Sequence, residues 1–122
     1  MQKLLYFITM ISSIFFTSQS LALANPASVY CAKVGGKVVI EKLPSKNEIG
    51  ICSFKHKMEC EEWALFHKKC PIGGVSTKRT SKEERYCVIL GGKFSSNICI
   101  IPNKNSCNIL DLYNQKCNKT TR

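Results

Sequence analysis

Eight cysteines in a chain of only 122 residues constrain this sequence more than any other feature. Their number is even and all follow an apolar N-terminal stretch, a combination typical of disulfide frameworks in exported proteins. No C-x-x-C spacing occurs and only two histidines are present, so zinc is disfavoured and neither a metal nor a cofactor is predicted. We predict that all eight form disulfides: Cys31, Cys52, Cys60, Cys70, Cys87, Cys99, Cys107 and Cys117.

The N-terminus has the pattern of a secretory signal peptide. Lys3 precedes an apolar run over residues 4–16, and Ala22 and Ala24 supply the small residues that signal peptidase accepts. The run is shorter than the roughly 20 apolar residues that a membrane span needs, and no later run is longer. We predict a signal peptide over 1–24, cleavage near Ala24, no transmembrane segment, and a secreted or periplasmic mature protein.

The cysteine spacing repeats within the chain. Cys31 and Cys87 are each followed four residues later by a glycine pair, and the last two gaps between cysteines are 8 and 10 residues in both halves. A repeated period of this kind is the signature of a duplicated structural unit. We predict two cysteine-rich modules, 25–71 and a diverged 84–122 with a C-terminal tail, joined by a linker over 72–83.

Each module is predicted to be a short helix, a β-hairpin and a C-terminal helix, which places the chain in the α+β class. Asn25 and Pro26 are typical of a helix start. The segment Lys37–Lys42 alternates and pairs with 49–54. Residues 59–69 begin with acids and end with lysines, as a helix dipole favours. Trp63 and Phe66 would then face the hairpin.

The predicted C-terminal helix limits the disulfide connectivity. Cys60 and Cys70 on one helix would lie about 15 Å apart by helical rise, beyond the roughly 7 Å that a disulfide spans between Cα atoms. A Cys60–Cys70 bond is thereby excluded, and with it Cys31–Cys52. Two alternatives remain open: Cys31–Cys60 with Cys52–Cys70, or Cys31–Cys70 with Cys52–Cys60.

Two sequence blocks carry a resemblance to a known family. The N-P-A-S block at 25–28 and the C-E-E-W-A block at 60–64, with a glycine pair at 35–36 between them, resemble a small bacterial domain of unknown function. The resemblance covers about 25–71, and the second module lacks both blocks. Members of this family are commonly labelled hemolysins. The resemblance implies an exported protein of unestablished activity and supplies no catalytic residues.

The sequence offers no catalytic constellation. A hydrolase needs a nucleophile, a base and an orienting group, whereas this chain has two dispersed histidines, His56 and His67, and a single aspartate, Asp111. Glu61 and Glu62 are adjacent and would point about 100° apart on a helix. We therefore predict that the protein is not an enzyme.

The net charge and its distribution along the chain indicate which classes of partner to expect. A net charge of +10 attracts anionic partners. The basic residues are dispersed and aromatic side chains are not interleaved with them, which disfavours nucleic acid. The partner is predicted to be a macromolecule, either an anionic target or a protein.

The favoured hypothesis is a rigid exported binding module, since loops on a rigid frame carry recognition. The alternatives are a basic membrane-active (lytic) protein and an envelope-structural protein. The candidate binding loop is the tip of the longer, first hairpin: Leu43, Pro44, Ser45, Lys46, Asn47 and Glu48.

Overall fold

The computed structural model describes residues 23–117, so the predicted signal peptide lies almost entirely outside the described residues. None of the helices in this range is long and apolar enough to cross a membrane. Helices and sheets are mixed, which confirms the α+β class. The elements in chain order are α1 (Pro26–Lys33), β1 (Lys37–Lys42), β2 (Glu48–Phe54), β3 (Met58–Glu61), α2 (Glu62–Phe66), β4 (Val75–Ser76), α3 (Lys82–Ile89), β5 (Lys93–Ser95), β6 (Ile98–Ile100), β7 (Cys107–Asn108) and α4 (Ile109–Tyr113).

The first helix and hairpin form where the sequence predicts them. The Asn25 side chain accepts a hydrogen bond from the Ala27 amide at 3.0 Å, and Pro26 occupies the first turn of α1. Strands β1 and β2 pair antiparallel with Val38 opposite Cys52. Gly36 is required beside this pair because a Cβ there would lie 2.2 Å from the Cys52 Sγ.

The helix predicted over 59–69 is present only over Glu62–Phe66, so its predicted bounds are wrong. Its first residues form β3, which pairs with β2, and α2 is a single turn of five residues. The Glu61 carboxylate caps α2 by accepting hydrogen bonds from the amides of Trp63 and Ala64, so the helix begins late. Lys68 adopts a left-handed φ of 60°, which reverses the chain after the helix.

This reversal corrects the predicted disulfide connectivity. The Cα atoms of Cys60 and Cys70 lie 5.8 Å apart instead of about 15 Å, so the bond that the helix argument excluded is formed. Both alternatives left open by the sequence are therefore wrong, whereas the prediction that all eight cysteines are paired is confirmed. The bonds are Cys31–Cys52, Cys60–Cys70, Cys87–Cys99 and Cys107–Cys117.

The second half has the same order of helix, hairpin, third strand and one-turn helix. Ser81 and Glu84 form a reciprocal capping box at the start of α3. Strands β5, β6 and β7 form a three-stranded antiparallel sheet, and α4 follows directly. The predicted linker 72–83 also contributes β4, which pairs with β3 and completes a four-stranded first sheet in the order β1-β2-β3-β4.

The two halves meet in a shared hydrophobic cluster, which we call the junction core. The first hairpin contributes Leu43 and Ile51, and α3 contributes Tyr86 and Ile89; all four are buried. Tyr113 of α4 packs against them. Two further clusters, each built around disulfides, fill the interiors of the separate halves.

Candidate functional site

The predicted binding loop is held against the second half of the chain. Leu43 is buried in the junction core. At the tip, the Gln115 Oε1 accepts hydrogen bonds from the Ser45 hydroxyl and, at 2.6 Å, from the Asn47 Nδ2. Pro44, Lys46 and Glu48 remain exposed. Half of this loop is therefore occupied by contacts within the protein.

The two histidines stand at chain reversals. His56 occupies a 3₁₀ turn over Lys55–Lys57 with a φ of 62°, and His67 is the C-cap of α2. Both are exposed. Over residues 23–117, no group of three or more His, Cys, Asp or Glu side chains is arranged to hold a metal ion.

One carboxylate that sequence reasoning assigned to the helix dipole is buried. Glu62 is only 5 % exposed and accepts hydrogen bonds from the Asn25 Nδ2 at 2.8 Å and the Ser28 hydroxyl at 2.5 Å. Gly50 makes room for it, because a Cβ there would lie 2.4 Å from the Glu62 Cδ. This carboxylate joins the start of α1 to α2, so its role is to fix the two helices that carry the surface described below.

A second group of charges lies between the two halves. Arg85 of α3 donates to both oxygens of Glu59, at 2.7 and 3.0 Å, and to both oxygens of Glu41, at 2.8 and 2.9 Å. Thr77 adds a hydrogen bond to Glu59 at 2.7 Å. The Arg85 hydrogen bonds hold the pKa of Glu59 below its ordinary value, and the Glu41 and Glu59 carboxylates raise that of Arg85. Both carboxylates share the single Arg85 guanidinium, and the group ties α3 to the first sheet.

Four neighbouring rings form a partly exposed surface on α1 and α2, which we call the aromatic face: Tyr30, Trp63, Phe66 and His67. Trp63 is 40 % exposed and Phe66 37 %, so neither ring is fully buried. The rings contact one another edge-to-face, with centroids 5.8 Å apart for Tyr30–Phe66 and 5.7 Å for Trp63–Phe66. His67 stacks on Trp63 at 5.9 Å.

Basic residues accompany the aromatic face. Lys33 lies one helical turn after Tyr30 on α1, and Lys68 follows His67; both are exposed. A cavity of about 170 Å³ beside Trp63 and His67 is lined in part by Lys69 and Lys104 and by one acid, Glu61. The surface therefore combines apolar rings with positive charge.

The second half contains a pair of rings with similar spacing to the cysteines, and this pair is covered. Tyr86 precedes Cys87 as Tyr30 precedes Cys31, and Tyr113 follows Cys107 by the same six residues that separate Phe66 from Cys60. The Tyr86–Tyr113 centroids are 5.9 Å apart, close to the Tyr30–Phe66 distance. Tyr86 is only 8 % exposed because the first hairpin packs on it. Burial also raises the pKa of its hydroxyl.

Comparison with known proteins adds one finding. Residues 22–69 match the model of a family described as a domain of unknown function (DUF333), which spans less than half of the chain. The match supports a small domain of unknown function that runs through α2 and includes the whole aromatic face. Neither the curated proteins nor the solved structures give a match.

Proposed function

We propose that this chain is an exported, non-enzymatic binding protein and that it binds its target through the aromatic face. The observation that carries the proposal is the exposure of Trp63 and Phe66 on a frame closed by four disulfides. Aromatic side chains that are partly exposed and fixed by neighbours are enriched at binding surfaces, because they bury a large area at little entropic cost. Disulfide bonding is consistent with an extracellular or periplasmic location.

We also propose that the two halves are diverged copies of one unit. The equal order of elements and the equal cysteine separations of 10 residues in the last disulfide of each half support this origin. After duplication, the first hairpin packed on the Tyr86–Tyr113 pair, whereas the Tyr30–Phe66 pair stayed open. A single molecule then offers one open aromatic face.

The candidate loop is a second possible binding surface, and substitutions separate it from the aromatic face. The experiment measures binding of the oxidised protein to soluble, membrane and wall fractions of the producing cells. We expect Trp63→Ser to reduce binding at least tenfold. The pair Lys46→Ala and Glu48→Ala changes exposed loop residues without touching the Ser45 and Asn47 contacts. Loss of binding in this pair, with Trp63→Ser unaffected, would assign recognition to the loop and contradict the proposal.

The lytic alternative is tested separately with lipid vesicles. A chain locked by four disulfides keeps its apolar segments in place, so we expect no dye release from anionic or zwitterionic vesicles at micromolar protein. Release by the oxidised protein that disappears on reduction would establish membrane lysis. If the vesicles retain the dye and binding to the cell fractions depends on Trp63, the results would favour a binding protein over a lytic one.

A further inference from the structure

We propose that the aromatic face docks a β-hairpin of another protein, one with an apolar flank and carboxylates at its tip. This inference rests on the proposed function and names the class of partner. Its basis is the junction core, where the matching face of the second half already binds a hairpin. The molecule thus contains one occupied example of the interaction that the open face would make.

The occupied example defines the geometry. The first hairpin lies on Tyr86 and Tyr113 with its flanking residues Leu43 and Ile51. Its tip reaches Gln115, whose side-chain oxygen accepts hydrogen bonds from the tip. The contact therefore has two parts, an apolar flank on the ring pair and a polar tip on the residue two positions after α4.

The open face repeats this layout with different chemistry. Tyr30 and Phe66 provide the ring pair. Lys68 takes the place of Gln115: each lies eight residues after the first cysteine of its disulfide, and their φ values are 60° and 56°. An ammonium group only donates hydrogen bonds, so the tip that meets Lys68 must offer acceptors, and a carboxylate does so best.

At two other matching positions the two halves carry different residues, and both differences favour a partner unlike the first hairpin. Val29 stands where Arg85 stands in the second half, two residues before the cysteine, and it is 54 % exposed. An exposed apolar side chain thus stands where the second half has the ion-paired Arg85. Lys33 stands in the place of the buried Ile89 and adds a second positive charge beside the rings. The open face selects an apolar flank and negative charge.

A cyclic peptide carrying residues 39–51 of this chain serves as the probe, because it reproduces the hairpin that occupies the covered face. The acidic form carries Ser45→Asp and Asn47→Asp, so that its tip offers carboxylates. Trp63 is the single tryptophan of the chain, and its fluorescence reports occupancy of the open face in the full mature protein.

We expect the acidic peptide to bind at least tenfold more tightly than the unmodified one. Lys68→Gln should reverse that preference, because it restores the chemistry of Gln115, and Phe66→Ala should abolish binding of both. Lys116→Gln, which removes an exposed lysine next to the covered face, is the matched control and should change nothing. Near-ultraviolet circular dichroism and the mass of the four-disulfide form verify the fold of each variant.

The inference is overturned if Lys68→Gln leaves the peptide preference unchanged, or if Phe66→Ala binds both peptides normally. Protease treatment of the cell fractions separates this inference from the proposed function. If binding depends on Trp63 but survives protease treatment of the fractions, the proposed function stands, but the partner is a glycan or a lipid and not a protein hairpin. If binding does not depend on Trp63, both the proposed function and this inference are contradicted.

Discussion

Replacing Arg85 by methionine tests how strongly the two halves are joined. The substitution keeps the length of the aliphatic stem and removes four hydrogen bonds to Glu41 and Glu59. Glu41 has a side chain that is 40 % exposed and can hydrate in the variant. Glu59 has a side chain only 12 % exposed and would keep Thr77 as its hydrogen-bond donor.

The magnitude follows from this difference in burial. Removing one partner of a fully buried ion pair costs about 3–5 kcal/mol, and a single hydrogen bond to a charged group contributes about 1.5–3 kcal/mol. The Thr77 bond and the remaining access of water lower the cost here, so we expect a loss of about 2–3 kcal/mol at neutral pH. Small domains are stable by about 5–15 kcal/mol in total, so the effect would be large.

The loss should depend on pH in a defined direction. The hydrogen bonds from Arg85 lower the pKa of Glu59 in the folded protein below its ordinary value, which the carboxyl group keeps in the unfolded chain. The stabilisation from this ion pair is therefore present above the unfolded pKa and is lost as the pH falls through the folded pKa. The difference between wild type and Arg85→Met should shrink in acid.

Urea unfolding with the disulfides intact, at pH 7 and at about pH 3, measures both quantities. Arg79→Met is the matched control, because Arg79 is exposed and lies on the loop just before α3. A difference in unfolding free energy below about 0.5 kcal/mol at pH 7, the range of ordinary surface substitutions, would refute the reasoning. So would a difference of equal size at both pH values.

Two further predictions concern the covalent frame and the buried carboxylate. Peptide mapping without reduction should recover the pairs 31–52, 60–70, 87–99 and 107–117, and a fragment linking 31 to 60 or to 70 would contradict the fold of the first half. Gly50→Ala should destabilise the protein by about 1–3 kcal/mol, because the new methyl group meets Glu62 and forces it to move. The double variant Gly50→Ala with Glu62→Ala should recover part of that loss in thermal unfolding, and full additivity of the two losses would show that the contact is absent.

Elements specified by neighbouring residues were predicted from the sequence. Helix α1 depends on Asn25 and Pro26, which act locally, and β1 depends on alternation within Lys37–Lys42. Both were placed correctly. The helix predicted over 59–69 is too long because the acidic start and basic end of this segment also suit a helix dipole. The pairing of β3 with β2 is decided by contacts outside the segment.

The polar contacts of Glu62 and Arg85 could not be predicted from the sequence, because they too join residues that are distant along the chain. Glu62 meets Asn25, 37 residues away, and Arg85 meets Glu41, 44 residues away. Such pairs form only after the sheets and helices have packed. The candidate loop was predicted from its length and turn residues, which give no sign that Gln115 would bind its tip.

The order of the disulfides has a consequence for how the chain matures. Each cysteine is joined to its immediate neighbour along the sequence, first with second, third with fourth, and so on to the last. An oxidase that joins cysteines in the order in which they emerge during synthesis produces this set directly, whereas interleaved bonds require breaking and reforming. The protein can therefore reach its native covalent form in a compartment that oxidises thiols but lacks any activity for reshuffling them.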